Sequence, residues 1–390
     1  MKFEIGKDQL LDALKAVGPA VAPRSCLPVL SGVRLEAAAG RVDLQTTDLE
    51  TSIRLQVRAS TPQDGAVTRV VVAPAKALTK AVAGIRGDVL RIETSEDQAK
   101  PRLRISCSQG RSISLECYAA DDWPAIGTDV SWQRLASFES ADLAQALARV
   151  ALCASADEAR PVLTGVQFNL GQDAAIAELV ATDSYRLGVV RVRAEFSGST
   201  ETPKPLVPAR AMKELAKQLT GRKGLVDVYV GAAEGTGGSF SCAEFVFGER
   251  SWVVREIGGA FPDWQRLLPV KETGSLDYDA KEMADAIKAA ASLRSAKTVP
   301  LRIDVGEVCT VRLVEDGVAV VTESLRNAIY SPNGTGTLDL AFKADWLGDA
   351  VRFVGGKRQR VWVEDRVKPA LFFSPETQDC SYLLMPVRLS

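Results

Sequence analysis

Apolar positions fall at helical spacing in three similar stretches. Leu143, Ala146, Leu147 and Val150 follow the i, i+3, i+4, i+7 pattern of one buried helix face, with Ser140 placed to cap the first turn. Lys7–Val17 and residues 279–290 carry the same pattern. By subtraction, Leu10 to Leu143 is 133 residues and Leu143 to Met283 is 140. A second helix repeats in register at residues 74–82, 208–219 and 343–353; Pro74 to Pro208 is 134 residues and Pro208 to Lys343 is 135. The first two copies open on proline, where the missing N–H costs nothing, and the third does not. Two helix series sharing nearly one period predict three similar domains, bounded at 1–128, 129–263 and 264–390.

Between the helices the pattern turns to strands. Residues 27–36, 41–45, 51–57, 67–73, 89–93, 103–107 and 113–117 form the first set. Residues 162–169, 179–181, 187–192, 225–230, 240–247 and 252–256 repeat that order. A third set covers 301–305, 308–313, 318–322, 338–342, 360–363, 370–373 and 382–389. Connectors ending in an aromatic-proline step, Trp123-Pro124 and Phe261-Pro262, close the first two units. The fold class expected is α+β: antiparallel hairpins with two helices on one side of each domain.

Composition narrows the chemistry. The 390 residues are 46% hydrophobic and 25% charged, with a net charge of −1, so any basic surface must be local. The seven cysteines are odd in number and scattered, which suits reduced thiols in a cytoplasm. No apolar run reaches membrane-spanning length and the N-terminus does not read as a signal peptide. The chain has no histidine, which removes Ser-His and Cys-His catalysis and the commonest metal ligand. It has no phosphate-loop motif; Gly235-Thr-Gly-Gly-Ser239 reads as a hairpin turn and Asp121-Asp122 as a solvated loop. No cofactor and no catalysis are expected.

The N-terminal Met1-Lys-Phe, Leu27-Pro-Val-Leu30, Thr47-Asp-Leu-Glu50, Ala181-Thr-Asp-Ser-Tyr-Arg-Leu187, Phe261-Pro-Asp263 and Met385-Pro-Val-Arg-Leu389 occur in this order along the whole chain. Together they resemble the β subunit of bacterial DNA polymerase III, the replicative sliding-clamp family. The resemblance implies a ring of two head-to-tail subunits, three domains each, with helices lining a central hole. Helix dimensions agree with a dimer. At about 10 Å per helix, six helices enclose only about 20 Å between axes, too little for a duplex whose major groove alone is about 12 Å wide. Twelve leave roughly 28 Å clear.

The resemblance also implies site residues. Arg24, Lys76, Lys80, Arg210, Lys213 and Lys217 would face double-stranded DNA, through diffuse, sequence-independent attraction. A pocket for short peptides from the replicative polymerase, the clamp loader and repair polymerases would use Arg160, Leu163, Thr182, Ser184, Tyr185, Arg186 and Leu187. Pro262, Leu267, Val367, Leu383, Met385, Pro386, Val387, Arg388 and Leu389 would complete it; methionine and leucine suit a groove that accepts several related peptides. Ile113 and Leu115 on one side, and Leu293 on the other, would join the homodimer. Tyr185 and Gly188 stand where family members often carry His and Ala. Pro161 and Val162 replace tyrosines found in some members, Ser390 extends the tail, and Asn333-Gly-Thr-Gly336 reads as an inserted turn. The rival reading is a tandem-repeat peptide-binding scaffold with no DNA role; an enzyme is disfavoured by the missing histidine.

Overall fold

A computed structural model describes the chain except residues 62–69, 96–100, 125–129, 171–174, 197–202, 236–237, 270–273, 297–298, 306–307, 316–317, 333–337, 364–366, 378 and 389–390. The expected 128/129 boundary, the turn at Asn333, Leu389 and Ser390 therefore lie outside the described residues in whole or in part, whereas the expected hairpin at 235–239 is borne out by the pairing of Gly235 with Gly238. Among the described residues there are six α-helices: α1 (Lys7–Val17), α2 (Ala75–Gly84), α3 (Ser140–Val150), α4 (Ala209–Leu219), α5 (Ala280–Ser292) and α6 (Ala344–Val354). All six fall where the apolar spacing predicts them. Each buries a narrow stripe; α1 hides Leu10, Ala13, Leu14, Ala16 and Val17. Pro74 and Pro208 sit at the N-cap, one residue before the first helical turn. Asp279 caps α5 by accepting from the backbone N–H groups of Lys281 and Glu282. Ser140 has a different role from the expected cap: its hydroxyl donates to the Gly224 carbonyl at 2.6 Å.

The chain divides into two compact units, residues 1–140 with 222–256, and residues 141–221 with 257–390. In the first, strand Lys2–Gly6 opens a four-stranded sheet that ends on edge strand Ser112–Glu116. A larger antiparallel sheet runs through Gln133–Glu139, Leu225–Gly235, Gly238–Phe247, Arg250–Arg255, Thr51–Arg58, Arg41–Thr47, Gly32–Ala38 and Val70–Pro74. Helix α1 packs on α2 and against the strands Arg41–Thr47 and Thr51–Arg58.

The second unit repeats this plan. Its nine-stranded sheet runs Leu206–Pro208, Gly165–Leu170, Ile176–Thr182, Arg186–Arg193, Cys380–Leu384, Ala370–Phe373, Arg358–Val363, Gly274–Asp279 and Ile329–Pro332. Its four-stranded sheet runs Val318–Leu325, Cys309–Glu315, Pro300–Val305 and Leu338–Lys343, and α5 packs on α6.

Three sequence expectations need correction. Residues 28–31 and 162–164 are not strand: Pro28–Ser31 and Pro161–Thr164 form 3-10 turns, and the strands begin at Gly32 and Gly165. In both turns proline fixes φ and supplies no N–H for a ladder, so pairing starts only beyond it. The last strand stops at Leu384 instead of running to 389, because Pro386 cannot donate to a neighbour.

Gly188 is explained by packing. It pairs with Tyr382 across the strands, and a Cβ there would stand 2.6 Å from Cys153 Sγ and from the Phe353 ring. The Phe353 ring lies 5.2 Å from the Tyr382 ring and fills the space a methyl would need. Gly188→Ala should cost about 1–3 kcal/mol by overpacking, read as a lower midpoint in chemical denaturation; an unchanged midpoint would mean Phe353 swings aside freely.

Candidate functional site

The candidate groove forms where strand Arg186–Arg193 pairs antiparallel with Cys380–Leu384. This register sets Leu187 opposite Leu383 and Arg186 opposite Leu384. Leu187 and Leu383 are buried in one cluster with Val180, Val189 and Trp264, against which Phe261, Leu268 and Leu371 pack. Trp264 begins the 3-10 turn Trp264–Leu267 immediately after Phe261-Pro-Asp263, and Leu267 at its far end is 47% exposed. Pro262 is exposed beside it.

The hairpin turn of residues 182–186 is held by side chains. Asp183 Oδ1 accepts from the backbone N–H of Tyr185 and of Arg186, both at 3.0 Å. Thr182 is buried; its hydroxyl donates to the Arg186 carbonyl at 2.7 Å and accepts from Ser184 N–H at 3.2 Å. Ser184 is forced to φ +77, a left-handed conformation costing a non-glycine residue about 1 kcal/mol or more. That geometry turns Tyr185 outward, 59% exposed, and stacks it on Trp346 of α6 with ring centroids 5.5 Å apart. Lys343 Nζ stands 4.1 Å from the same indole.

Arg186 anchors the turn. Its guanidinium donates to Asp183 Oδ2 at 3.0 Å, to Asp349 Oδ2 of α6 at 2.6 Å and to the Tyr382 hydroxyl at 3.4 Å. All three charged side chains are mostly buried. Arg352 also donates to Asp349. Burial alone would pull the Arg186 pKa down, but the Tyr382 oxygen and the Asp349 carboxylate more than offset it and the net direction is up. Burial pushes both the Cys153 thiol and the Tyr382 hydroxyl up, so both are neutral at physiological pH.

The tail borders this groove. Met385 N–H donates to the Tyr185 carbonyl at 2.9 Å and Val387 N–H to Ala341 at 2.7 Å. Met385 and Pro386 are half-buried, Val387 is 38% exposed and Arg388 is exposed. Leu163 is buried, and its turn packs on strand Ile176–Thr182; Arg160 and Pro161 beside it are exposed. Val367 is exposed in the connection before strand Ala370–Phe373. The structure thus gathers Thr182–Leu187, Leu383 and Met385 into one constellation and places Leu267, Val387 and Val367 as exposed apolar residues on neighbouring elements.

Sequence reasoning missed Trp264, Lys343, Trp346, Asp349 and Tyr382. One signal was available for Trp346: in the proline-started helix series it occupies the position of Ala77 and Ala211. A bulky aromatic replacing alanine in only one copy marks a surface used for something beyond packing.

The first unit carries the same turn with a different face. Asp48 Oδ1 accepts from Glu50 and Thr51 N–H, Thr47 Oγ1 accepts from Leu49 N–H, and Leu49 takes φ +75. Ser52 pairs with Val253 in the register that sets Leu187 on Leu383. Where the groove has Val180, Leu187 and Val189, the first unit has Gln45, Ser52 and Arg54, and Arg54 is paired to Asp43 at 2.7 Å. The turn is repeated; the apolar floor is not.

The cationic candidates all reach solvent. Arg24, Lys76, Lys80, Arg210, Lys213 and Lys217 are exposed, although Lys217 is paired with Glu214 at 2.7 Å. Ile113 and Leu115 are half-buried on the unpaired edge of the first unit's four-stranded sheet. Leu293 ends α5 and is 61% exposed. The second unit's four-stranded sheet has its own unpaired edge, Val318–Leu325, with Val318 66% and Val320 49% exposed, a surface absent from the sequence expectations. Among the described residues no His, Cys, Asp and Glu group could hold a metal ion, and no helix is long and apolar enough to cross a membrane.

Removing Arg186 would take their shared cation from the mostly buried carboxylates of Asp183 and Asp349. Arg186→Met should cost about 3–5 kcal/mol in denaturant unfolding. A loss below about 1 kcal/mol would mean that solvent screens the pair as it screens a surface one.

Two models of one family match the chain in order. "DNA polymerase III beta subunit, N-terminal domain" matches residues 1–127, and "DNA polymerase III beta subunit, central domain" matches residues 137–263. A curated "Beta sliding clamp" of Caulobacter vibrioides is 27% identical over all of both chains. Among solved structures, a C. crescentus beta sliding clamp superposes with TM-score 0.87 at 24% identity, covering 100% of this chain and 99% of that one. A Pseudomonas aeruginosa DNA polymerase III subunit beta sliding clamp bound to griselimycin gives TM-score 0.85 at 24% identity over all of both chains.

Proposed function

The chain belongs to the DNA polymerase III beta subunit family, and from that premise we propose that it works as a DNA polymerase processivity factor: a homodimeric ring around duplex DNA. The observation that carries this reading is the end-to-end likeness to sliding clamps, with both family models falling in chain order. The domains would be 1–128, 129–263 and 264–390. Short helices whose exposed faces carry Lys76, Lys80, Arg210 and Lys213 suit a loose hold on phosphates. A protein that must slide needs enclosure more than affinity.

Two unpaired sheet edges support the dimer. An open edge with apolar side chains invites pairing, and Ser112–Glu116 and Val318–Leu325 each provide one. Joined head to tail, the first edge of one copy would pair with the second of its partner. Leu293 would be covered by the same contact.

The groove would take a short peptide with apolar anchors. Leu187, Leu383 and Trp264 supply the floor, Tyr185 and Trp346 an aromatic wall, and Met385 to Arg388 a rim. Replicative polymerase, clamp loader and repair polymerases are the expected owners of such peptides. In this role the chain catalyses nothing; it tethers.

Three outcomes test the reading. The protein should remain on circular DNA in high salt and run off linear DNA; equal loss from both templates would reject enclosure. Ile113→Asp with Leu115→Asp should yield folded monomers, and an unchanged sedimentation coefficient would reject that edge. Truncation of residues 385–390 should weaken capture of a clamp-binding peptide at least tenfold while the dimer persists; unaltered capture would move the peptide site elsewhere.

A further inference from the structure

The apolar floor of the groove does not end at Leu383. Register carries it onward across the sheet in one row: Leu187 faces Leu383, Leu383 faces Leu371, and Leu371 faces Trp362. Directly opposed residues share a sheet face, so these four side chains stand on one side. Phe373 lies two residues on from Leu371, on the same face, and its ring meets the Trp362 indole edge to face with centroids 4.8 Å apart. Trp264 is buried in the cluster with Leu187 and Leu383, whereas Trp362 and Phe373, at the other end of the row, are half-buried.

What Trp362 presents to solvent is carbon. Its strand, Arg358–Val363, is paired on both sides, and its indole N–H is enclosed with no hydrogen-bond partner among the described residues. Charge beside the two rings is cancelled: Arg360, opposite Phe373, donates twice to Asp277, each bond at 2.8 Å. This end of the row therefore suits an uncharged, apolar group. The first unit has the same row with other contents. In matching register it reads Ser52, Val253, Glu244 and Tyr229. A carboxylate stands there in the place of Leu371, so the sheet can be built without an unbroken apolar row.

We propose that Trp362 and Phe373 form a second anchor site, on which a peptide seated in the groove lays an aromatic side chain flanking its apolar anchors. The proposal rests on the peptide-groove reading. Continuity with the groove sets the occupant. Three strand spacings of about 4.8 Å separate Leu187 from Trp362, so an extended chain passes from one to the other in about four residues. An aromatic side chain arriving there gains ring contact as well as burial. A peptide with groove anchors alone leaves Trp362 bare, so the site favours partners with the longer motif.

Fluorescence anisotropy with the full-length protein compares three synthetic probes. One is a short peptide with leucine and phenylalanine anchors. The second extends it by about four to six residues ending in tryptophan, and the third ends the same extension in alanine; extensions are made at each end in turn. In one direction the tryptophan probe should bind about five- to tenfold tighter than the alanine probe, the size of one aromatic contact. Trp362→Gln and Phe373→Gln should erase that gain and leave the Kd of the short peptide unchanged. Equal Kd for the two extensions in both directions overturns the proposal, as does a gain that survives in both folded variants. Melting curves establish that the variants fold. Should both unfold, a photoreactive benzophenone residue in place of the terminal tryptophan decides on the wild type. Adducts on residues 358–363 or 370–374 support the site, and adducts confined elsewhere overturn it. Failure of the short peptide to bind removes the groove reading and the proposal with it, whereas binding of the short peptide with no gain removes the second site alone.

Discussion

Strand edges that must not stay open govern this structure. A repeat built from antiparallel hairpins ends on a strand with unsatisfied N–H and C=O groups. Within each unit those groups are satisfied by the next repeat along the chain: Arg250–Arg255 pairs with Thr51–Arg58, and Cys380–Leu384 pairs with Arg186–Arg193. Both junctions use the same register, with a buried aromatic, Trp252 or Tyr382, one residue from the contact. Among the edge strands of the described sheets, Ser112–Glu116 and Val318–Leu325 carry half-buried or exposed apolar side chains. The closed junctions give each unit part of its core, and the proposed dimer would use the edges Ser112–Glu116 and Val318–Leu325.

The candidate groove follows from the second junction. Pairing alone would not make it, because the first junction has the same turn and no apolar floor. It needs Val180, Leu187 and Val189 on one face, Leu383 opposite, and Trp264 closing the end. It also needs Arg186, whose three partners tie the turn to α6 and so set Tyr185 against Trp346. In the proposed peptide role, the stacked Tyr185 and Trp346 beside an apolar floor would favour affinity from few contacts, since stacking limits the side-chain freedom lost on binding.

The helices were legible because their apolar spacing admits only one buried face, and all six appear where that spacing places them. The strands were legible as a class but not at their starts. Leu27-Pro-Val-Leu30 is apolar enough to pass for strand, and only backbone geometry reveals the 3-10 turn there. The first strand of each repeat went unseen: Lys2–Gly6, Gln133–Glu139 and Gly274–Asp279 are short and run directly into helices, so no turn residue marks them off. Of the groove, the turn and tail were readable from motifs. Asp349 and Tyr382 were not, because a buried ion pair depends on partners 163 and 196 residues apart in sequence from Arg186. Gly188 looked like a departure and proves to be compensation, its missing methyl replaced by Phe353.

The contrast between the two junctions has a further consequence. The repeated plan gives this chain two described copies of one turn, and only one has an apolar floor; Gln45, Ser52 and Arg54 make the other polar. Under the proposed peptide role, one such floor among the described junctions would make visitors mutually exclusive. Exchange between them is then a matter of residence time and local abundance, with no need for a signal passing through the protein.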